Sequence, residues 1–151
     1  YYFLRRYHTA ASMFEKAIAL DGTTDLYVGG LGDALRWSQS KEALPTYVKA
    51  IRLVEGRMAQ KREEDAELIG RVGLYYAKIG TVLKAKSLLK TATTLRPDNK
   101  TLMYYEAVVA ASEHNYSKAK IRAQQAIAKG YPKALVAADP DLLPIATNSS
   151  R

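Results

Sequence analysis

Residues 66–99 read AELIGRVGLYYAKIGTVLKAKSLLKTATTLRPDN. Ile69, Val72, Gly73 and Tyr76 fall three, four and seven apart, the spacing that puts side chains on one face of an α-helix. Gly80 interrupts that helix. Ala85, Leu89 and Ala92 then mark one face of a second helix, and Pro97-Asp98-Asn99 closes it in a turn. The stretch reads as two helices joined by a short turn, here called A and B. The same pair recurs outward from it. Val28, Leu31, Gly32 and Leu35 followed by Ala43, Tyr47 and Ala50 make one on the N-terminal side. Met103 and Ala107 followed by Ala119 and Ala126 make one on the C-terminal side, with Glu106 in place of an apolar residue. Tyr7, Ala10, Phe14, Ala17 and Leu20 match a B helix alone, and Tyr1 to Leu4 read as the tail of an A helix before it.

Four alanine pairs, Ala10/Ala17, Ala43/Ala50, Ala85/Ala92 and Ala119/Ala126, share one seven-residue interval. Seven residues are about two helical turns, so each pair lies on one face of its B helix. Small side chains there, opposite Gly32, Gly73 and Ala107, let A and B cross closely.

These residues follow the pattern W-x2-L-G-x2-Y…A-x3-F…P of the tetratricopeptide repeat, and residues 66–99 match its length without a gap. The chain thus resembles a tetratricopeptide domain over nearly its whole length. The resemblance implies an all-α, right-handed superhelical stack of antiparallel helix pairs. We expect a single domain over 1–146: a partial repeat at 1–24, repeats at 25–57, 66–99 and 100–132, a cap at 133–146, and a polar tail at 147–151. Residues 58–65, MAQKREED, exceed the period and read as a solvated extension of the preceding B helix. Ser40, Thr81 and Asn115 stand where B helices want an N-cap, and Gly22 stands where a B helix wants a C-terminal cap. In the cap, Leu135, Val136, Leu142 and Leu143 are expected to cover the open end of the last pair. The segment from Lys129-Gly130-Tyr131-Pro132 to Asp139-Pro140-Asp141-Leu142 also resembles the closing segment of tetratricopeptide regions in bacterial signalling proteins, among them Ser/Thr kinases and winged-helix regulators. That resemblance implies a sensory or scaffolding role beside an effector outside this chain.

Composition narrows the function classes. The chain has 151 residues, 48% of them hydrophobic, which is a globular composition. No apolar run approaches the roughly 18 residues of a membrane span, and no signal peptide is visible. Without cysteine there is no disulfide framework or thiolate chemistry. No phosphate-cradling loop or zinc-protease motif is present, and His8 and His114 have no neighbouring ligand at metal spacing. Asp139 and Asp141 read as caps of a short helix. The expectation is a non-enzyme without cofactor or metal, cytoplasmic, or alternatively the extracytoplasmic part of a membrane-anchored signalling protein.

The resemblance also implies where a partner binds, because in such stacks the A helices line the concave face. The positions that carry over are Leu26, Gly29, Asp33, Arg36 and Trp37 in the first full pair. In the next two they are Glu67, Gly70, Leu74, Ala77 and Lys78, then Thr101, Tyr104, Val108, Ala111 and Ser112. Of these, Leu26, Asp33, Arg36, Trp37, Glu67, Leu74, Lys78, Tyr104 and Val108 are the expected partner contacts. Gly29 and Gly70 are expected to leave the groove roomy. The chaperone-tail clamp does not carry over, since Gly29/Asp33, Gly70/Leu74 and Tyr104/Val108 offer no cations. A protein partner's peptide or helix is the expected occupant. The net charge of +8 gathers on the B helices, at Lys84, Lys86, Lys90, Arg96, Lys118, Lys120 and Arg122. The alternative reading is therefore a nucleic-acid-binding helical repeat using that convex face. No nucleic-acid fold signature supports it, and a membrane enters only through parts outside this chain. Self-association through Tyr1, Tyr2 and Phe3 is a further expectation.

Overall fold

In a computed structural model of the chain, the backbone is described for residues 2–148 and the side chains for residues 6–145. The expectation for Tyr1, Tyr2 and Phe3 therefore lies outside the described side chains. Among the described residues every regular element is helical and no strand occurs. Two compact units form, one ending at Lys61 and one beginning at Arg62. The boundary falls inside the eight residues that exceed the repeat period.

The first unit holds α1 (Tyr2–Asp21), α2 (Asp25–Trp37) and α3 (Ala43–Gln60). Here α1 packs on α2 and α2 on α3. The second holds α4 (Ala66–Lys78), α5 (Val82–Leu95), α6 (Lys100–Ser112) and α7 (Tyr116–Ala128). It closes with α8 (Lys133–Ala138), a 3-10 turn (Pro140–Leu142) and α9 (Leu143–Asn148). Within it α4 packs on α5, α6 on α7, and α4 on α6, so the A helices contact one another as well as their own B helices. The result is an all-α helical repeat stack.

Small residues set the crossings. Ala85, Ala92, Ala107, Ala119 and Ala126 have no exposed surface. A Cβ on Gly73 would stand 3.2 Å from both the Ala85 carbonyl oxygen and the Leu88 Cβ. One on Gly32 would come within 2.8 Å of the Tyr47 ring. Tyr47 and Leu89 hold the same place in their pairs, each packing beneath the A-helix glycine. Ala10 and Ala17, on the first helix described, are only half-buried.

The helix ends follow side-chain chemistry. Each full A helix has a bonded cap: Thr24 accepts from the Tyr27 N–H, Asp65 from the Glu67 and Leu68 N–H groups, and Asn99 from the Leu102 N–H. These satisfy amides that the first turn leaves without partners. The B helices are less uniform than expected. Asn115 caps α7, Thr81 makes no capping bond, and Ser40 accepts from the Glu42 N–H one residue ahead of α3. Gly22 does cap α1, with a φ of +99° that a residue with a Cβ would resist.

Two expectations need correction. Residues 58–65 do not extend the B helix as a whole: α3 ends at Gln60, and Lys61 is already extended. Asp65 must leave helical geometry to cap α4, which prevents one continuous helix through the segment. In the cap, Val136 and Leu142 are buried, but Leu135 and Leu143 are more than half exposed. The cap therefore seals the last pair with two apolar side chains, not four.

Candidate functional site

In the first unit the expected contact residues lie on α2. Leu26 is exposed in its first turn. Asp33 and Arg36 meet through Tyr47 of α3, whose hydroxyl donates to Asp33 Oδ1 at 2.5 Å and accepts from Arg36 Nε at 3.1 Å. Burial, with the Asp33 carboxylate second, pushes the Tyr47 hydroxyl far above its usual range, so it stays protonated. Trp37 is half-buried against Tyr7 of α1, ring centroids 5.4 Å apart. Three of the four residues are thus tied into the unit's own packing. The first-turn Asp25 is fully buried and meets Arg57 of α3 at 2.7 Å, a contact the sequence reading did not contain.

In the second unit the arrangement differs from the expectation at several points. Gly70 is not open floor: a Cβ there would come within 2.3 Å of Leu102, because α6 packs directly on it. Leu74 and Val108 are buried and present no side chain to a partner. A-helix packing within the unit takes the surface that a roomy groove would need. Glu67 and Lys78 stand at opposite ends of α4 and do not pair. Glu67 Oε1 instead accepts from Asn99 Nδ2 at 2.9 Å.

Lys78 and Tyr104 are brought together by the end of the chain. The Tyr104 hydroxyl donates to Asp139 Oδ2, and the Tyr104 ring stacks on Tyr131 at 4.6 Å, 13° from parallel. Lys78 Nζ lies 3.8 Å from Asp141 Oδ2, with both side chains largely buried. Asp139 Oδ1 accepts from the Asp141 N–H at 2.8 Å, which fixes the 3-10 turn. The capping role read from the sequence is therefore real for Asp139, but the same carboxylate also reaches α6. Residues 139–142 form a strap across A-helix positions of α4 and α6. Burial raises the Asp139 carboxyl above its ordinary range, with the Tyr104 hydrogen bond opposing. Burial likewise pushes the Tyr131 hydroxyl up to about 12.

No family model, curated protein or solved structure matches the chain. Among the described residues no three His, Asp or Glu side chains converge as a metal site would need. His114 is an exposed turn residue whose Nδ1 lies 2.8 Å from the Tyr116 hydroxyl. No helix among the described residues is long and apolar enough to cross a membrane.

The cationic B helices are less bare than their own sequences imply. Acids of α6 and its C-cap reach them: Glu113 pairs with Lys86 at 2.9 Å and Glu106 with Arg122 at 3.3 Å. Glu106, the departure from the repeat pattern, is part-buried and its carboxyl is raised by that burial, with Arg122 and Lys118 opposing. Lys84 leans over the Tyr76 ring at 4.4 Å and donates to its hydroxyl. A cleft of about 280 Å³ opens between Lys86, Lys90 and Lys118, floored by Leu89, Val109 and Ala110, with both glutamates on its wall.

Proposed function

We propose that the chain is a protein-interaction module of the tetratricopeptide kind, the sensory or scaffolding part of a larger bacterial signalling protein. In this reading it binds and does not catalyse, and a partner's peptide segment lies against A helices. The observation that carries the reading is the strap. The A-helix positions Lys78 and Tyr104 already hold a short length of polypeptide, the chain's own residues 139–142, through directed polar contacts. A face that orders one peptide by a hydroxyl, an ammonium and an aromatic stack is chemically equipped to order another. The B-helix face supports nucleic-acid binding less well, because Glu106 and Glu113 neutralise two of its cations.

Panning a displayed peptide library on the full chain, followed by hydrogen–deuterium exchange with the selected peptide, tests this. Protection is expected on α4 and α6, or on α2 around Leu26. Protection confined to α5 and α7, or micromolar binding of random oligonucleotides with a steep salt dependence, overturns it.

A further inference from the structure

We propose that the strap is a displaceable occupant of the α4–α6 face, and that the partner which displaces it presents two carboxylates spaced as in Asp-x-Asp. This rests on the reading of that face as the binding surface. The strap's own contacts define the chemistry. Asp139 is held by the Tyr104 hydroxyl and Asp141 by the Lys78 ammonium, so the two acids of one Asp-Pro-Asp turn are recognised by two different A helices. The turn is preorganised, since Asp139 Oδ1 binds the Asp141 N–H and Pro140 restricts the backbone between them.

Within the strap the buried apolar side chain is Leu142. Val136 in the cap is buried as well, whereas Leu135 and Leu143 are more than half exposed, and a cleft of about 200 Å³ remains between α7 and the cap. The contacts of Asp139 and Asp141 are polar, and polar contacts exchange readily with a competing group of the same kind, because water or a second carboxylate satisfies the same donors. Asp139 also sits where burial disfavours its charge, so release rehydrates it. Lys78 and Tyr104 stay anchored in α4 and α6 whichever segment they hold.

The probe is a fluorescent synthetic peptide of residues 136–145, VAADPDLLPI, added to the full chain. The parent is expected to bind it weakly, because its own strap competes. The double variant Asp139→Asn/Asp141→Asn is expected to bind at least ~10-fold tighter, about 1.4 kcal/mol. Adding Lys78→Gln should abolish that gain, and a peptide with asparagine at both acidic positions should not bind. No gain in a folded double variant overturns the proposal.

A second measurement covers the case in which the double variant unfolds. Tyr104→Phe keeps the ring and removes the hydroxyl. Faster exchange confined to residues 139–145, with α4–α7 still protected, supports a separable strap. Simultaneous loss of protection through α4–α7 makes the strap an integral part of the fold and overturns the proposal. A panned peptide that protects α2 while residues 139–145 stay closed would preserve the interaction function and sink this inference alone.

Discussion

Ala85 leaves no room at its crossing. It is fully buried, and its carbonyl oxygen would stand 3.2 Å from a Cβ on Gly73 of the facing helix. Ala85→Leu adds three carbons there and is expected to cost roughly 1–3 kcal/mol. Lys86→Leu, one residue on, should cost well under that, since Lys86 is exposed and its ion pair with Glu113 is worth at most about 1 kcal/mol. Denaturant midpoints for the two variants check the register, and equal values contradict it. Gln39 offers the opposite case. It adopts φ +63° in the turn between α2 and α3, as Gly80 (φ +89°) does in the α4–α5 turn and His114 (φ +61°) in the α6–α7 turn. A side chain resists that conformation, so Gln39→Gly is expected to stabilise by about 0.5–1 kcal/mol. An unchanged or lower melting temperature would contradict this. At this scale the sequence was readable wherever spacing carried the information: the alanine pairs and Gly73 announce the crossings by periodicity. Tyr104 with Asp139 and Asp25 with Arg57 were not readable, because side chains 35 and 32 positions apart leave no local pattern.

Helix identity follows from apolar spacing, but helix ends follow from which side chain wins a contest for backbone groups. Asp65 illustrates this: it takes an extended conformation to cap α4, so no single helix can run through it from α3, which ends at Gln60. The expected roominess at Gly70 failed for a related reason. A missing side chain reads equally as an opening or as an invitation for a neighbouring helix, and α6 took the space through Leu102. The strap carries a pH dependence of its own. Asp139 has a raised pKa in the folded state, so between its unfolded and folded values the native chain binds more protons. Its contribution to stability is fully present below the unfolded value, about 3.9, and is lost as pH rises through the folded one. Asp139→Asn should therefore flatten the decline of melting temperature with rising pH above about pH 4. Parallel profiles for parent and variant would rule this out. Glu106 shifts in the same direction and leaves a residual slope in both.

Among the described residues one connection carries two adjacent exposed cations outside a helix. Lys61 and Arg62 are exposed and non-helical, and they lie at the boundary of the two compact units. The lysines of α5 and α7 are exposed as well, but helical backbone must open locally before a protease can bind it. Limited trypsin digestion is therefore expected to cut first after Lys61 or Arg62. A first cut within α5 or α7 would show that those helices open more readily than the connection. Charge is distributed with the same asymmetry. Ten Lys and Arg against three acids lie from Lys84 to Lys133 inclusive, where α6 and its C-cap supply two of the acids as internal partners. That compensation was invisible from the B helices read alone.

The strap also acts as a ruler one helix pair long, touching α4 at Lys78 and α6 at Tyr104. A second copy of residues 66–99 inserted after Asn99 would put a new lysine, equivalent to Lys78, beside Tyr104. The chain's end would close on that copy and leave the original Lys78 uncovered. Lengthening the stack would thus bare a lysine without building a second complete seat, because Gly70 holds the place of Tyr104 in the copy and brings no hydroxyl.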